Sequence, residues 1–544
     1  MGNKLDTIPR LTRALMKSHL LSCGYAYEDI EKPIIGIANS WNEFNHGHIP
    51  QRQIADFVKD GVRAAGGLPL EFNTIGPCDA LAQGYEGMDY ILPSREIIAD
   101  SLEVMVRSQF IIDGLVFISS CDKITPGMLM AVLRLDIPSI HVCSGTCIPA
   151  IPFSESKRLR KDFLEGRISE RKMAEGNAML YPHPGICPYI GTANTMNIFV
   201  EALGLSLPGS STIPAATSER LRCAQKTGQL AVTLARSARR PSAILSESSF
   251  RNGLRVLAAL AGSLNHLLHV PAIARQVGVH LDFDSIASIN EDTPQLCTIN
   301  PNGEHSIADL HRAGGVPAVL KELRPLLDLS ALNVESRDLD HVTAEAVNLD
   351  TAVIRPLGNP VAPHGGIVIL KGNIARQGAA VRTSTVPPGM LSFSGPARVF
   401  DSEEQATEAI EANRIPEGSV VVIRFEGPKG GPGMREMHRI AGAFLGRRIA
   451  VVTDGRFSGA TGGLSVGYLS PEAAQDGEIA CIENGDEIAI DVMKRTIEAR
   501  VDERTIKERM RAFHPGGRPE GTRILKEFAR RVGSTFEGAL REEK

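Results

Sequence analysis

The 544-residue sequence has no GxxxxGK[ST] run and no HExxH, so P-loop nucleotide hydrolysis and zincin chemistry have no support in it. No segment reaches about 18 uninterrupted apolar residues, and the opening "MGNKLDTIPRLTRALMKSHL" has no long apolar stretch before a small-residue cleavage site. The chain therefore reads as cytoplasmic, with no membrane partner. Asp6 stands where the myristoylation pattern needs Ser or Thr. A formal charge of −4 supplies no field that would gather nucleic acid or acidic lipid. Internal repeats and low-complexity tracts are absent. The nine cysteines form no CxxC pair, which argues against a disulfide framework or a zinc knuckle and for reduced thiols.

What is present is a change of texture along the chain. Up to about residue 350, short apolar runs alternate with helical patterns: "PIIGIAN" then "RQIADFVKDGVRAAG", "DGLVFISS" then "PGMLMAVLRL", then "IPSIHVC". Strands alternating with helices signal a parallel sheet covered on both faces. Beyond it the segments are β-rich and punctuated by Gly and Pro, as in "GSVVVIRFEGPKGGPGM" and "RIAVVTDGRFSGATGGLSVGYLS", with a few helices such as "SEEQATEAIEANR". The expectation is an α/β fold in two domains: an α/β domain with a parallel sheet over 1–355, then a β-barrel-like domain with flanking helices over 366–544. The joint falls in "RPLGNPVAPHGG", Arg355–Gly366.

Chemistry concentrates at "SSCDKITPGM", directly after the apolar run "GLVFI". Open α/β sheets place ligands at such strand ends, where Cys121, Asp122 and Lys123 stand side by side. Thr125 and Pro126 read as the cap and first position of the next helix. Soft thiolate suits iron–sulfur or zinc and hard carboxylate suits Mg²⁺, so two metal centres could meet at this turn. A second Cys-Asp pair, Cys78 and Asp79, lies in "NTIGPCDALAQGYEGM", and Cys187 lies in "HPGICPYIGTANTMN". Three loops with one thiol each fit either an iron–sulfur centre or unrelated buried cysteines. Glu436 follows a Gly-rich loop, and "TDGRFSG" offers Asp454, Arg456 and Ser458. These loops read either as tight turns or as backbone cradles for a small anion. Gly463–Gly467 matches the GxSxG elbow without a strand–elbow–helix context. "NHGH", Asn45–His48, reads as loop residues more readily than as a metal pair.

Together these stretches resemble the dihydroxy-acid dehydratase/6-phosphogluconate dehydratase family over nearly the whole chain. The resemblance is carried by "KPIIGIANSWNEF", "SREIIADSLE", "CDKITPGMLMA", "GTANTMN", "EALGLSLPGSS", "DLHRAGGVPAVLKEL", "GPARVFDSEEQA", "VVIRFEGPKGGPGMREM", "TDGRFSG" and "LSPEAA". It implies an iron–sulfur cluster beside Mg²⁺, with Mg²⁺ held by Asp79, Asp122, Glu436 and Lys123, the last as a carbamate. Carbamylation would turn an amine among carboxylates into an anionic oxygen ligand. Ser458 occupies the position of the family's base, which takes the C2 proton of a 2,3-dihydroxy acid while the C3 hydroxyl leaves.

Two departures stand out. The region after "SWNE" lacks the cysteine that many members carry in a "TPCN" segment, whereas Cys78 is present, so the cluster is assigned to Cys78, Cys121 and Cys187. Three thiols leave one iron without a protein ligand and favour [4Fe–4S] over [2Fe–2S]. Relatives also have a "GGPM"-like loop where this chain has "HVCSGTCIPA", whose Cys143 and Cys147 read as packing. The implied substrate is 2,3-dihydroxy-3-methylbutanoate or its homologue in branched-chain amino-acid synthesis, with an aldonate as the alternative. A homodimer or homotetramer is expected. A binding protein that lost the chemistry is disfavoured by the intact Asp79, Asp122, Lys123, Glu436 and Ser458.

Overall fold

A computed structural model of the chain describes residues 3–444, 446–457, 461–513 and 521–542. Its backbone divides into two units, each built from separated stretches. The first comprises Met1–Pro77, Ile97–Leu260 and Pro294–Pro363, and the second Cys78–Glu96, Ala261–Thr293 and His364–Lys544. One crossing falls within the expected joint, at Pro363/His364, and the second unit also takes two segments from the first 355 residues, one of them carrying Cys78 and Asp79.

In the first unit the apolar runs become β1 (Ile34–Asn39), β2 (Leu68–Asn73), β3 (Gly114–Ser119) and β4 (Ser139–Cys143), all parallel in the order β2-β1-β3-β4. β1, β3 and β4 are buried along their length, as expected of strands covered on both faces. The outer end of the edge strand β2 alternates between half-buried and exposed. The order reverses between β1 and β3, and at the carboxyl ends of such a pair the following loops diverge and leave a crevice. The loop after β1 carries Asn45, and the turn after β3 carries Cys121–Lys123. Helices Gln51–Ala64 and Ser218–Ser237 cover the sheet with their backbones in contact: a Cβ on Gly61 would lie 1.9 Å from the Gln225 carbonyl oxygen. Among the described residues the strand–helix alternation stops at Cys143, and up to Glu345 the chain is mostly helical.

The β-rich half forms a closed eight-stranded barrel in the order β10 (Leu464–Ser470), β6 (Ala375–Arg382), β5 (Ile367–Gly372), β12 (Thr496–Ala499), β11 (Glu487–Asp491), β7 (Ser392–Phe400), β8 (Val420–Ile423) and β9 (Ala450–Thr453). The strands that matter for the site are β8 (Val420–Ile423), β9 (Ala450–Thr453) and β10 (Leu464–Ser470), which pair in parallel. Alternation along β8 and β9 sends Val420, Val422, Ala450 and Val452 to the barrel interior, where they meet Leu464, Val466 and Ile490. Val421, Ile423 and Val451 face outward and pack against helices Glu403–Glu411 and His438–Ala443 through Ile410 and Ile440.

Candidate functional site

The turn after β3 differs from expectation in one detail. The helix begins at Ile124 with Lys123 as its N-cap and no side-chain capping bond, since an ammonium has no acceptor to offer, and the Thr125 hydroxyl is used elsewhere. Thr125 donates to Asn197 Oδ1 at 3.0 Å, and Asn197 Nδ2 reaches the Ser120 carbonyl at 3.4 Å, which fixes the amide's orientation. A hydroxyl has one hydrogen, so in the 2.8 Å contact between Ser119 and Thr125 it is Ser119 that donates. Ser119 in turn accepts from His141 Nε2 at 2.8 Å, leaving His141 Nδ1 to accept from the Ser206 hydroxyl at 3.1 Å. Burial pushes His141 down to about 3, so the imidazole is neutral and the chain of donors runs one way, from Ser206 to Asn197. This buried polar row lies beneath the residues that present Cys121, Asp122 and Lys123.

Lys123 is 2% exposed, and its Nζ lies 3.4 Å from Asp122 Oδ2. Asn45 Nδ2 points at Cys121 Sγ from 3.5 Å, so the two loops at the switch point meet at this sulfur. Cys187 belongs to the same unit. Its carbonyl accepts from Asn194 Nδ2 at 2.6 Å and Thr146 Oγ1 at 3.3 Å, and the Tyr181 hydroxyl lies 3.9 Å from its sulfur. Burial pushes the Cys187 thiol up, with the charge of Asp122 as a smaller cause acting the same way. "GTANTMN" thus supplies two positioning amides, Asn194 beneath Cys187 and Asn197 beneath Cys121.

In the second unit Cys78 is the N-cap of the short helix Asp79–Ala82, and Asp79 is buried. A carboxylate oxygen of Asp79 lies within 4.8 Å of one of Glu436. Two buried carboxylates that close repel one another and favour a bound cation or a shared proton. Glu436 continues the barrel's parallel pairing through an isolated bridge to Arg456. Its Oε1 accepts from Asn265 Nδ2 at 2.7 Å and Arg456 Nη1 at 2.5 Å. Asn265 Oδ1 accepts from Arg456 Nη1 at 2.9 Å and the Tyr468 hydroxyl at 2.5 Å, and Arg456 Nε donates to the Met434 carbonyl at 2.7 Å. Met434 and Tyr468 both have left-handed backbones, φ 49° and 57°, a costly conformation for such side chains that recurs where geometry is imposed.

The Gly-rich loop does present its backbone N–H groups, and the acceptors are the chain's own carboxyl groups. Glu472 accepts from the N–H groups of Lys429 and Gly430 at 2.9 and 2.8 Å. Asp454 accepts from those of Phe425, Glu426 and Ala473 at 3.1, 2.9 and 2.9 Å. Gly433 has φ +65°, and a Cβ there would lie 1.7 Å from the Asp89 carbonyl oxygen, so only glycine fits. Burial and the charge of Asp454 push Glu472 up to about 8, while burial pushes Asp454 up to about 6.

Ser458 lies outside the described residues. Ser465 sits inside β10, donating to the Gly462 carbonyl, and is no elbow nucleophile. His46 contacts the Gly185 carbonyl at 2.5 Å and His48 contacts Asn42 at 2.7 Å, as loop residues. All nine thiols are free of disulfides, and Cys143 and Cys147 are buried. Asn265 and Tyr468 belong to no site motif, and Asn45 and Asn197, although inside "NHGH" and "GTANTMN", carry no spacing signal for a positioning role.

Similarity to known proteins agrees with this equipment. The model of the dihydroxy-acid/6-phosphogluconate dehydratase N-terminal region matches residues 32–342, and that of the C-terminal region matches 352–539. A dihydroxy-acid dehydratase of Caldanaerobacter subterraneus subsp. tengcongensis is 47% identical, covering 97% of each chain. Those of Ignicoccus hospitalis and Pyrococcus furiosus are 44% identical, over 95% of this chain and 96% of the relative, and 45% identical, over 97% and 98%. Fold and similarity together define the class as a hydro-lyase with an α/β part and a barrel part. More narrowly, the chain belongs to the dihydroxy-acid/6-phosphogluconate dehydratase family.

Proposed function

We propose that this chain removes water from 2,3-dihydroxy carboxylic acids to give 2-keto acids, acting on 2,3-dihydroxy-3-methylbutanoate and its methylpentanoate homologue in branched-chain amino-acid synthesis. The observation that carries the reading is similarity of 44–47% over at least 95% of the chain to proteins named dihydroxy-acid dehydratase. The working form is taken to be a cytoplasmic homodimer or homotetramer.

Cys78, Cys121 and Cys187 are assigned to an iron–sulfur cluster of [4Fe–4S] type, and Asp79, Asp122, Glu436 and a carbamylated Lys123 to Mg²⁺. Donor chemistry supports this division, since thiolates suit iron and carboxylate oxygens suit Mg²⁺. The approach of Asp79 to Glu436 within 4.8 Å is consistent with it, because a bound cation is one way to relieve that repulsion. When bound, the two centres supply Lewis acidity towards the substrate's carboxylate and hydroxyl oxygens. Within the chain, Ser458 is the proposed base that takes the C2 proton, and a carbamate on buried Lys123 would offer Mg²⁺ an anionic oxygen beside Asp122. Departure of the C3 hydroxyl leaves an enol that tautomerises to the 2-keto acid.

The test is 2-keto acid formation by anaerobically purified protein from a panel of branched dihydroxy acids and aldonates. Selective turnover of the branched acids is expected. A clear preference for aldonates would overturn the substrate, and a protein without iron or labile sulfide would overturn the cluster.

A further inference from the structure

Glu436 Oε1 accepts two hydrogens, one from Asn265 Nδ2 and one from Arg456 Nη1. A carboxylate oxygen offers two lone pairs, so these bonds fill it and leave metal binding to Oε2. The orientation of Asn265 is not arbitrary. Arg456 and Tyr468 both donate to its Oδ1, and a flipped amide would set N–H groups against those donors and an oxygen against the carboxylate. Tyr468 and Arg456 are completely buried and Asn265 is 1% exposed. All four side chains belong to the second unit, Asn265 in its stretch Ala261–Thr293 and the other three in His364–Lys544. His438 Nε2 lies 3.5 Å from Oε2 on the other side of the carboxyl group.

We propose that Asn265 is a positioning residue, oriented by Tyr468 and Arg456, that locks Glu436 as a one-oxygen metal ligand through Oε2. The proposal rests on the reading of Glu436 as a metal ligand. In this role Asn265 acts through Glu436, keeping the carboxylate from rotating to a two-oxygen mode or swinging towards its neighbours. Losing such an outer partner commonly weakens metal affinity 10- to 100-fold.

The test measures Mn²⁺ affinity by electron paramagnetic resonance on anaerobically purified holoprotein stripped of Mg²⁺, without turnover. Wild type, Glu436→Gln, Asn265→Ala, Asn265→Ser and Tyr468→Phe are compared at equal iron content. Expected is tight binding by wild type, loss in Glu436→Gln, a roughly 10- to 100-fold weakening in Asn265→Ala and a smaller one in Tyr468→Phe, which keeps the amide and leaves Arg456 alone to orient it. If Asn265→Ala does not fold, Asn265→Ser and Tyr468→Phe carry the comparison. If wild type and Glu436→Gln bind alike, the metal reading of Glu436 fails and the proposal with it. If Glu436→Gln loses the metal while the Asn265 and Tyr468 variants bind like wild type, the positioning role alone is overturned.

Discussion

Replacing Thr125 by Val keeps the shape of the side chain and deletes one buried hydroxyl, so it isolates the polar row beneath the Cys121–Lys123 turn. Two bonds go: Thr125 to Asn197 at 3.0 Å and Ser119 to Thr125 at 2.8 Å. A buried polar atom left without its partner costs about 1–3 kcal/mol. Asn197 Oδ1 loses its donor outright. Ser119 can turn its hydrogen to His141 Nε2 if the imidazole proton moves to Nδ1 and Ser206 accepts it, so the second loss is partly recovered. The expected cost to the first unit is about 2–3 kcal/mol. Thr125→Ser keeps the hydroxyl and drops one methyl, costing about 1 kcal/mol. The assay is built into the chain: its one tryptophan, Trp41, lies in the first unit, its ring 3.8 Å from the Arg52 guanidinium. Urea unfolding followed by its fluorescence should show the Val variant's midpoint lowered by about 1 M, for a slope of about 2–3 kcal/mol per molar. The turn's distortion should also lower iron retention. A Val variant within about 0.5 kcal/mol of the parent, or equal to the Ser variant, would refute the reasoning.

Burial holds His141 down to about 3 and His48 to about 4, so the unfolded chain binds their protons first as pH falls below the ordinary histidine range. Stability of the first unit, read by Trp41, should therefore fall steadily from about pH 6.5 to pH 4, and an unchanged midpoint would count against these burials. Glu472 has the opposite sign: its folded value of about 8 means stability present below the usual carboxyl range and lost as pH rises towards 8. Glu472→Gln should flatten the pH dependence of hydrogen exchange in β8 and β9, and equal slopes would exclude Glu472 as the cause. Ser458→Ala should abolish turnover with the cluster spectrum intact; near-normal activity would remove Ser458 as the base. Cys187→Ser should instead bleach the spectrum, and an unaltered spectrum would remove Cys187 from the ligand set.

Local periodicity made the fold class legible. The all-apolar runs of β1 and β3 and the β-branched run of β8 and β9 behave as strands because each is buried on both faces. Switch-point logic placed Cys121 and Asp122 at a strand end with no family knowledge. It could not place Cys78 and Asp79, whose segment Cys78–Glu96 leaves the α/β unit for the other one although its neighbours in sequence stay behind. Nothing in a run such as "GPCDALAQ" encodes that exchange, because the hydrogen bonds that hold it are made to residues hundreds of positions away, as when Arg95 donates to the Gly538 and Ala539 carbonyls at 3.0 and 2.7 Å.

The residues that orient the reactive groups were illegible for a different reason. A ligand is constrained in type by the metal's chemistry, so Cys, Asp and Glu can be picked out of a sequence; a residue that merely holds a ligand in place needs only one donor at one point in space. Asn265 donates to Glu436, the proposed ligand, across 171 positions, and Asn197 accepts from Thr125 across 72. The glycine loop shows the converse ambiguity. Its composition announces exposed N–H groups, yet the same composition serves a bound anion or a carboxylate returning from elsewhere in the chain, and here Glu472 returns to fill the cradle 42 positions on from Gly430. Burying that second carboxylate beside Asp454 is costly, and the cost makes sense as support for the Glu436 segment: two acids pinned by five backbone N–H groups hold rigid both loops that flank it.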